Sequence, residues 1–191
     1  GALAAGAVTG TSFNGIPFFS ADTSSIYTTD VSGTDDTATG NSAYGYQAMD
    51  AITTGDNNTA VGYSALGANT TGASNVALGQ NALVANTTGQ RNVALGVIAL
   101  DANTTGAYNV ALGYGAGGAN TTASHNIAVG YKAMETNSTG TRNIAIGASA
   151  YSSSDTENDN LAIGVDAMTA DTAGGQYNVA IGNYSLDALT S

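Results

Sequence analysis

Cysteine and tryptophan are both absent from this 191-residue chain. No disulfide can staple the fold, no thiolate can act as a nucleophile, and no Cys-ligated zinc site can form. A single histidine, His125, rules out a poly-histidine metal centre and allows one His-dependent catalytic centre at most. Charge is scarce as well: 9% of the residues are charged, against about 25% in ordinary soluble domains. Of these, 14 are acidic and 3 basic, for a net charge of −11. Phosphate binding needs clustered Lys and Arg, so nucleic acid is excluded as a partner, and anionic membrane surfaces are disfavoured. No apolar run approaches the ~18 residues of a spanning helix, so membrane insertion is not expected. The chain begins with Gly1 rather than Met, which fits the removal of an upstream signal peptide.

What the chain has in abundance is glycine, 26 residues, and repetition. The segment Asn-Xaa-Ala-(Val/Leu/Ile)-Gly recurs with its Asn at Asn41, Asn58, Asn75, Asn92, Asn109, Asn126, Asn143 and Asn160, each 17 residues after the last, and then at Asn178 after 18. Taking that Asn as position 1, Ala holds position 3 (Ala43 to Ala180) and Gly position 5 (Gly45 to Gly182). Nine copies of N-V-A-L-G-Y-x-A-L-x-A-N-T-T-G-x-x fill residues 41–191. Helical-hairpin repeats need more than about 30 residues, so a period of 17 points to one coil of a parallel β-solenoid. Positions 2–4 alternate bulky and small, as in Val76-Ala77-Leu78, which is strand patterning with one bulky face. A second strand or extended bend is expected near positions 6–11. N-T-T-G, as at Asn69–Gly72, reads as turn chemistry.

Stacked coils bring identical residues into columns about 4.8 Å apart. Asn58, Asn75, Asn92, Asn109, Asn126, Asn143 and Asn160 are therefore expected to form an internal amide ladder. The Val/Leu/Ile column has no room inside so thin a coil. It would form an exposed stripe, which a homo-oligomer would cover.

Asn58–Gly72 reads N-T-A-V-G-Y-S-A-L-G-A-N-T-T-G. This resembles the repeats of YadA-like heads of trimeric autotransporter adhesins, and more closely the N-T-A-V-G-Y-x-A-L-x-x-N-T-T-G arrays of phage tail fibres and related bacterial surface proteins. The resemblance covers residues 41–191. It implies an all-β, left-handed parallel β-roll, usually trimeric, in an extracellular fibre, cell-surface adhesin or virion fibre, with no active site.

Several segments depart from the array. Residues 1–40 carry no repeat and contain all three Phe residues. They are expected to be a cap, or an assembly arm that inserts Phe13, Ile16, Phe18 and Phe19 into a neighbour. The coil of Asn143 ends in an acidic stretch where Asp155, Glu157 and Asp159 alternate, a weak candidate for Ca²⁺. The sixth position of that loop is Asn160 rather than Gly, so a solvated turn is the plainer reading. Position 17 holds Arg91, Tyr108, His125, Arg142 and Asp159, a variable polar column read as surface. The Tyr residues of position 6, Tyr46, Tyr63, Tyr114 and Tyr131, suggest structural stacking before ligand binding. Asn69, Asn86, Asn103, Asn120 and Asn137 head Asn-Xaa-Ser/Thr triplets in the turn and are candidate glycosylation sites, as are Asn57 and Asn183.

No acid or nucleophile stands at a fixed spacing from His125, so neither an enzyme nor a bound cofactor is expected. Three functions from different classes fit. The first is a structural subunit of an extracellular fibre that associates with itself, laterally or head to tail. The second is an adhesin head or tail-fibre segment binding a cell-surface receptor or glycan, for which Tyr151–Asp159 is the patch that breaks the repeat. The third, more remote, is an ice-binding solenoid. The Thr pairs at Thr70/Thr71, Thr87/Thr88 and Thr104/Thr105 invite it. Their turn setting and a lapse at Ser154–Thr156 speak against it.

Overall fold

A computed structural model of the protein describes residues 12–13, 16–17, 26–27, 37–153, 156–169 and 175–187. Phe18, Phe19 and Asp155 lie outside these residues, and Phe13 and Ile16 are described in their backbone alone. Among the described residues there is no helix. β1 (Ser12–Phe13) and β2 (Ile16–Pro17) form a small antiparallel pair. The remaining strands form one ten-stranded sheet in sequence order. They are β3 (Ile26–Tyr27), β4 (Ser42–Tyr44), β5 (Thr59–Val61), β6 (Val76–Leu78), β7 (Val93–Leu95), β8 (Val110–Leu112), β9 (Ile127–Val129), β10 (Ile144–Ile146), β11 (Leu161–Ile163) and β12 (Val179–Ile181). All neighbours in that sheet are parallel, and like residues face each other: Val76 pairs with Val93 and Val93 with Val110. The fold is a parallel β-solenoid.

Within the non-repetitive residues 1–40, β3 pairs in parallel with β4, Ile26 opposite Ser42. Ile26–Tyr27 lacks the N-x-A-x-G signature, yet it supplies the first rung. Positions 6–11, expected to be a second strand or extended bend, are a run of turns. Positions 7 and 9 are left-handed in successive coils: Ser64 and Leu66 have φ near 52°, and Lys132 and Met134 have φ of 53° and 56°. Non-glycine residues pay about 1–2 kcal/mol for this conformation. Here it aims amides alternately along the rod. Asn81 N–H donates back to the Tyr63 carbonyl at 2.9 Å, and Leu83 N–H donates forward to the Ala99 carbonyl at 3.0 Å. The same twist turns the position 9 side chain inward, so Met49, Leu66, Leu83, Leu100, Met134, Tyr151 and Met168 are buried.

The core is therefore made of columns. Ala of positions 3 and 8 supplies thin layers, and position 9 supplies the bulk. The position 1 Asn column is buried from Asn41 to Asn160, and its members bond up to three ways. In Asn92 the backbone N–H donates to Asn75 Oδ1 at 2.9 Å, Nδ2 donates to the same oxygen at 3.2 Å, and Nδ2 also donates to the Gly106 carbonyl at 2.8 Å. One side chain thus ties together two neighbouring coils and the far turn of its own coil. At position 5, Gly is required twice over. Its φ lies between 122° and 142° along the stack, and a Cβ would run into the backbone of the next coil's Gly.

Candidate functional site

Each strand alternates about its central Ala, so the flanking side chains of positions 2 and 4 point away from the core. The result is an apolar face running along the sheet. Leu78 is 50% exposed, Leu112 45% and Ile181 66%. Position 6 extends this exposed set: Tyr63 is exposed, and so are Val97, Tyr114 and Tyr131. Tyr46 stacks on Tyr63 with centroids 5.8 Å apart, and Tyr114 on Tyr131 at 5.6 Å. These rings stack rung on rung, so their faces are turned largely to one another.

Position 17 carries much of the chain's polar side-chain chemistry. Arg91 donates to the Tyr108 hydroxyl at 2.7 Å and lies over its ring, and Tyr108 stacks on His125 at 4.9 Å. Next along the column, Arg142 grips Asp159 through Nε and a second nitrogen, at 2.6 and 2.8 Å. The hydrogen bonds from Arg142 hold the Asp159 carboxyl below the usual carboxylate range. His125 is exposed and stacks on Tyr108.

The acidic segment offers little to a cation. Asp159 is occupied by Arg142, and Glu157 is buried in the column that Gly55, Gly72, Gly89, Gly106 and Gly140 fill in other coils, its carboxylate accepting from Thr156 N–H at 3.1 Å. Among the described residues no three His, Asp or Glu side chains cluster as metal ligands. Tyr151, at the start of the segment, is fully buried, and its hydroxyl accepts from Asn160 Nδ2 at 2.7 Å.

The glycosylation candidates of position 12 are corrected by the structure. Asn69, Asn86, Asn103, Asn120 and Asn137 are all buried. They form a second internal ladder: Asn86 Nδ2 donates to Asn69 Oδ1 at 2.8 Å and to the Gly89 carbonyl at 3.1 Å. An amide nitrogen enclosed in this way has no room for a glycan. Asn57 and Asn183 are exposed. The second ladder breaks once within the coils that keep its Asn. A Cβ at the Gly of position 15 would collide with Oδ1 of its own coil's Asn, and position 15 is Ala123 in the coil of Asn120. There the Oδ1 atoms of Asn103 and Asn120 are left without a partner.

The same coil carries Gly115 and Gly118, which line a shallow recess with Ile98, Asp101, Ala119 and Glu135. Above it, Lys132 pairs with Glu135 at 2.7 Å. Burial pushes the Asp101 carboxyl above its ordinary value, more than its backbone hydrogen bonds lower it. A raised folded-state value means that Asp101 favours folding when protonated, and that this contribution is lost as pH rises through the folded value. Asp101→Asn should therefore raise the melting temperature slightly at neutral pH, with the gap to wild type closing in acid. A gap that widens in acid would contradict this assignment.

No known protein family matches this chain, and neither a curated protein nor a solved structure gives a significant match.

Proposed function

We propose that this chain is a non-enzymatic structural protein, a self-associating subunit of an extracellular fibre. In this reading the solenoid is a left-handed roll of nine 17-residue coils whose assembled form is a homo-oligomer, with the trimer favoured. The observation that carries it is the apolar face of positions 2 and 4, which continues from Val61 to Ile181 with no charged side chain in it. A rung adds an aliphatic pair about every 4.8 Å, so the stripe extends for tens of ångströms, more than soluble monomers leave in water. A second copy with the same spacing covers it rung for rung, and closed symmetry completes the cover. The stacked, exposed Tyr pairs of position 6 favour a second reading, an adhesin head or tail-fibre segment that binds a surface glycan.

Size-exclusion chromatography with light scattering tests the first reading. Wild type should elute as a multiple of the chain mass. The variant L78K/L112K should elute as a folded monomer, because both side chains are outside the core of the single chain. A monomeric wild type at tens of micromolar overturns the reading.

A further inference from the structure

We propose that the threonine edge of the solenoid, positions 13 and 14, is an ice-binding surface. It would order water into a lattice through a regular file of hydroxyl and methyl groups, and so hold the protein on the face of an ice crystal. This proposal uses different side chains from the assembly face and does not depend on it.

Position 14 is Thr in eight successive rungs: Thr37, Thr54, Thr71, Thr88, Thr105, Thr122, Thr139 and Thr156, every one of them exposed. The lapse expected near Ser154–Thr156 does not interrupt this column, since Thr156 follows Thr139 by the same 17 residues. Turn chemistry accounts for the neighbouring column. Thr53, Thr70, Thr87, Thr104 and Thr121, at position 13, each donate Oγ1 to the next coil's carbonyl at 3.0–3.2 Å. It does not account for position 14. None of those eight hydroxyls has a hydrogen-bond partner among the described residues, so the fold makes no use of them. A constant residue whose polar group the fold leaves free is available to something outside the chain.

The edge is also rigid, although it is a turn. Thr70 and Thr71 both donate their N–H groups to the Thr87 carbonyl, at 3.0 and 3.2 Å, and Thr87 and Thr88 repeat this on Thr104, at 2.9 and 3.2 Å. The same position 13 hydroxyl bond recurs in five successive rungs, Thr53 to Thr121. The position 14 threonines thus recur about every 4.8 Å on a braced backbone, over roughly 34 Å. Such preorganisation removes the ordering cost that a flexible turn would pay, and rungs acting together turn weak single contacts into firm adsorption. Over the six central rungs, Thr53/Thr54 to Ser138/Thr139, no charged residue stands at position 13 or 14; Asp36 and Asp155 hold position 13 only beside the two end threonines, Thr37 and Thr156. Arg91, Lys132 and Arg142 belong to other columns, and Asp56, on the flank, is half-buried and accepts hydrogen bonds from Thr39 N–H and Oγ1.

The test is thermal hysteresis of the purified chain, together with its partition into a slowly growing ice front. Wild type should shape ice crystals and be taken up into the ice. T88K/T105K, with an unchanged melting curve, should lower the ice-bound fraction at least about tenfold, because it divides the file at its centre. The single variant T105K serves as a second, milder lesion with the same expected direction. Ser149→Lys, at position 7 where Lys132 already stands, should partition like wild type. A wild type that neither shapes ice nor enters it overturns the proposal, as does equal uptake of folded T88K/T105K. Adsorption to crystalline cellulose or chitin with no effect on ice also overturns it, in favour of a polysaccharide surface.

Discussion

Gly113→Ala is expected to break the stack at its centre, costing about 3–5 kcal/mol from left-handed strain and overpacking together. Gly113 has φ of 135°, and an added Cβ would sit 2.5 Å from the carbonyl oxygen of Gly130 and 2.7 Å from its carbon. Both of those atoms are backbone, and the coil to which they belong is itself fixed by the coil beyond it. The steric load therefore cannot be relieved by turning one side chain. Gly118→Ala is the control. Its φ is not left-handed and its nearest contact would be 3.3 Å, so the change should cost under about 1 kcal/mol. Chemical denaturation of the two variants checks this, and equal losses would contradict the column assignment.

Asn109→Ala should be nearly as severe, at about 3 kcal/mol or more, because several buried groups lose their partners together. Asn109 Oδ1 accepts from Asn126 N–H at 3.0 Å, while its Nδ2 donates to Asn92 Oδ1 at 3.2 Å and to the Ala123 carbonyl at 2.8 Å. Reading N-T-T-G as an exposed turn led to the expectation that a position 12 Asn would be much cheaper to remove. The second ladder reverses that expectation. Asn86→Ala strands Asn69 Oδ1 and takes one bond each from Asn103 Nδ2 and the Gly89 carbonyl, which keep Gly106 and Asn75 as partners, and its cost should approach that of Asn109→Ala. Melting curves of the two variants decide the point. A negligible loss for Asn86→Ala would return position 12 to the surface.

Much of this architecture was legible in the residues, because every coil presents the same environment to the next. Ala77, Ala94 and Ala111 recur where there is room for a methyl group, and Gly79, Gly96 and Gly113 where there is room for none. The outward direction of Val76 and Leu78 followed from the strand period alone. The left-handed turns did not show, because Leu66, Leu83 and Tyr151 are residues that ordinarily avoid positive φ. Their placement is set by tertiary packing, which gives the side chain a buried column and the amide a partner in the next coil. Position 12 was misread because Asn-Thr-Thr-Gly forms a turn whether its Asn faces in or out. A sign was present: Asn69, Asn86 and Asn103 are each followed three residues later by Gly, whose carbonyl takes the amide. The rung at Ile26–Tyr27 carried no signature at all, since a strand at the end of a sheet needs one compatible neighbour rather than two.

The proposed oligomer requires that other copies of the chain cover the unbroken aliphatic face of the thin solenoid. Electron microscopy of the purified protein tests it most directly. Rods in which several solenoids lie side by side in register, with Val76, Leu78, Val110 and Leu112 at the seam between them, are the expected result. Isolated rods one solenoid wide, with that face open to water, would contradict it.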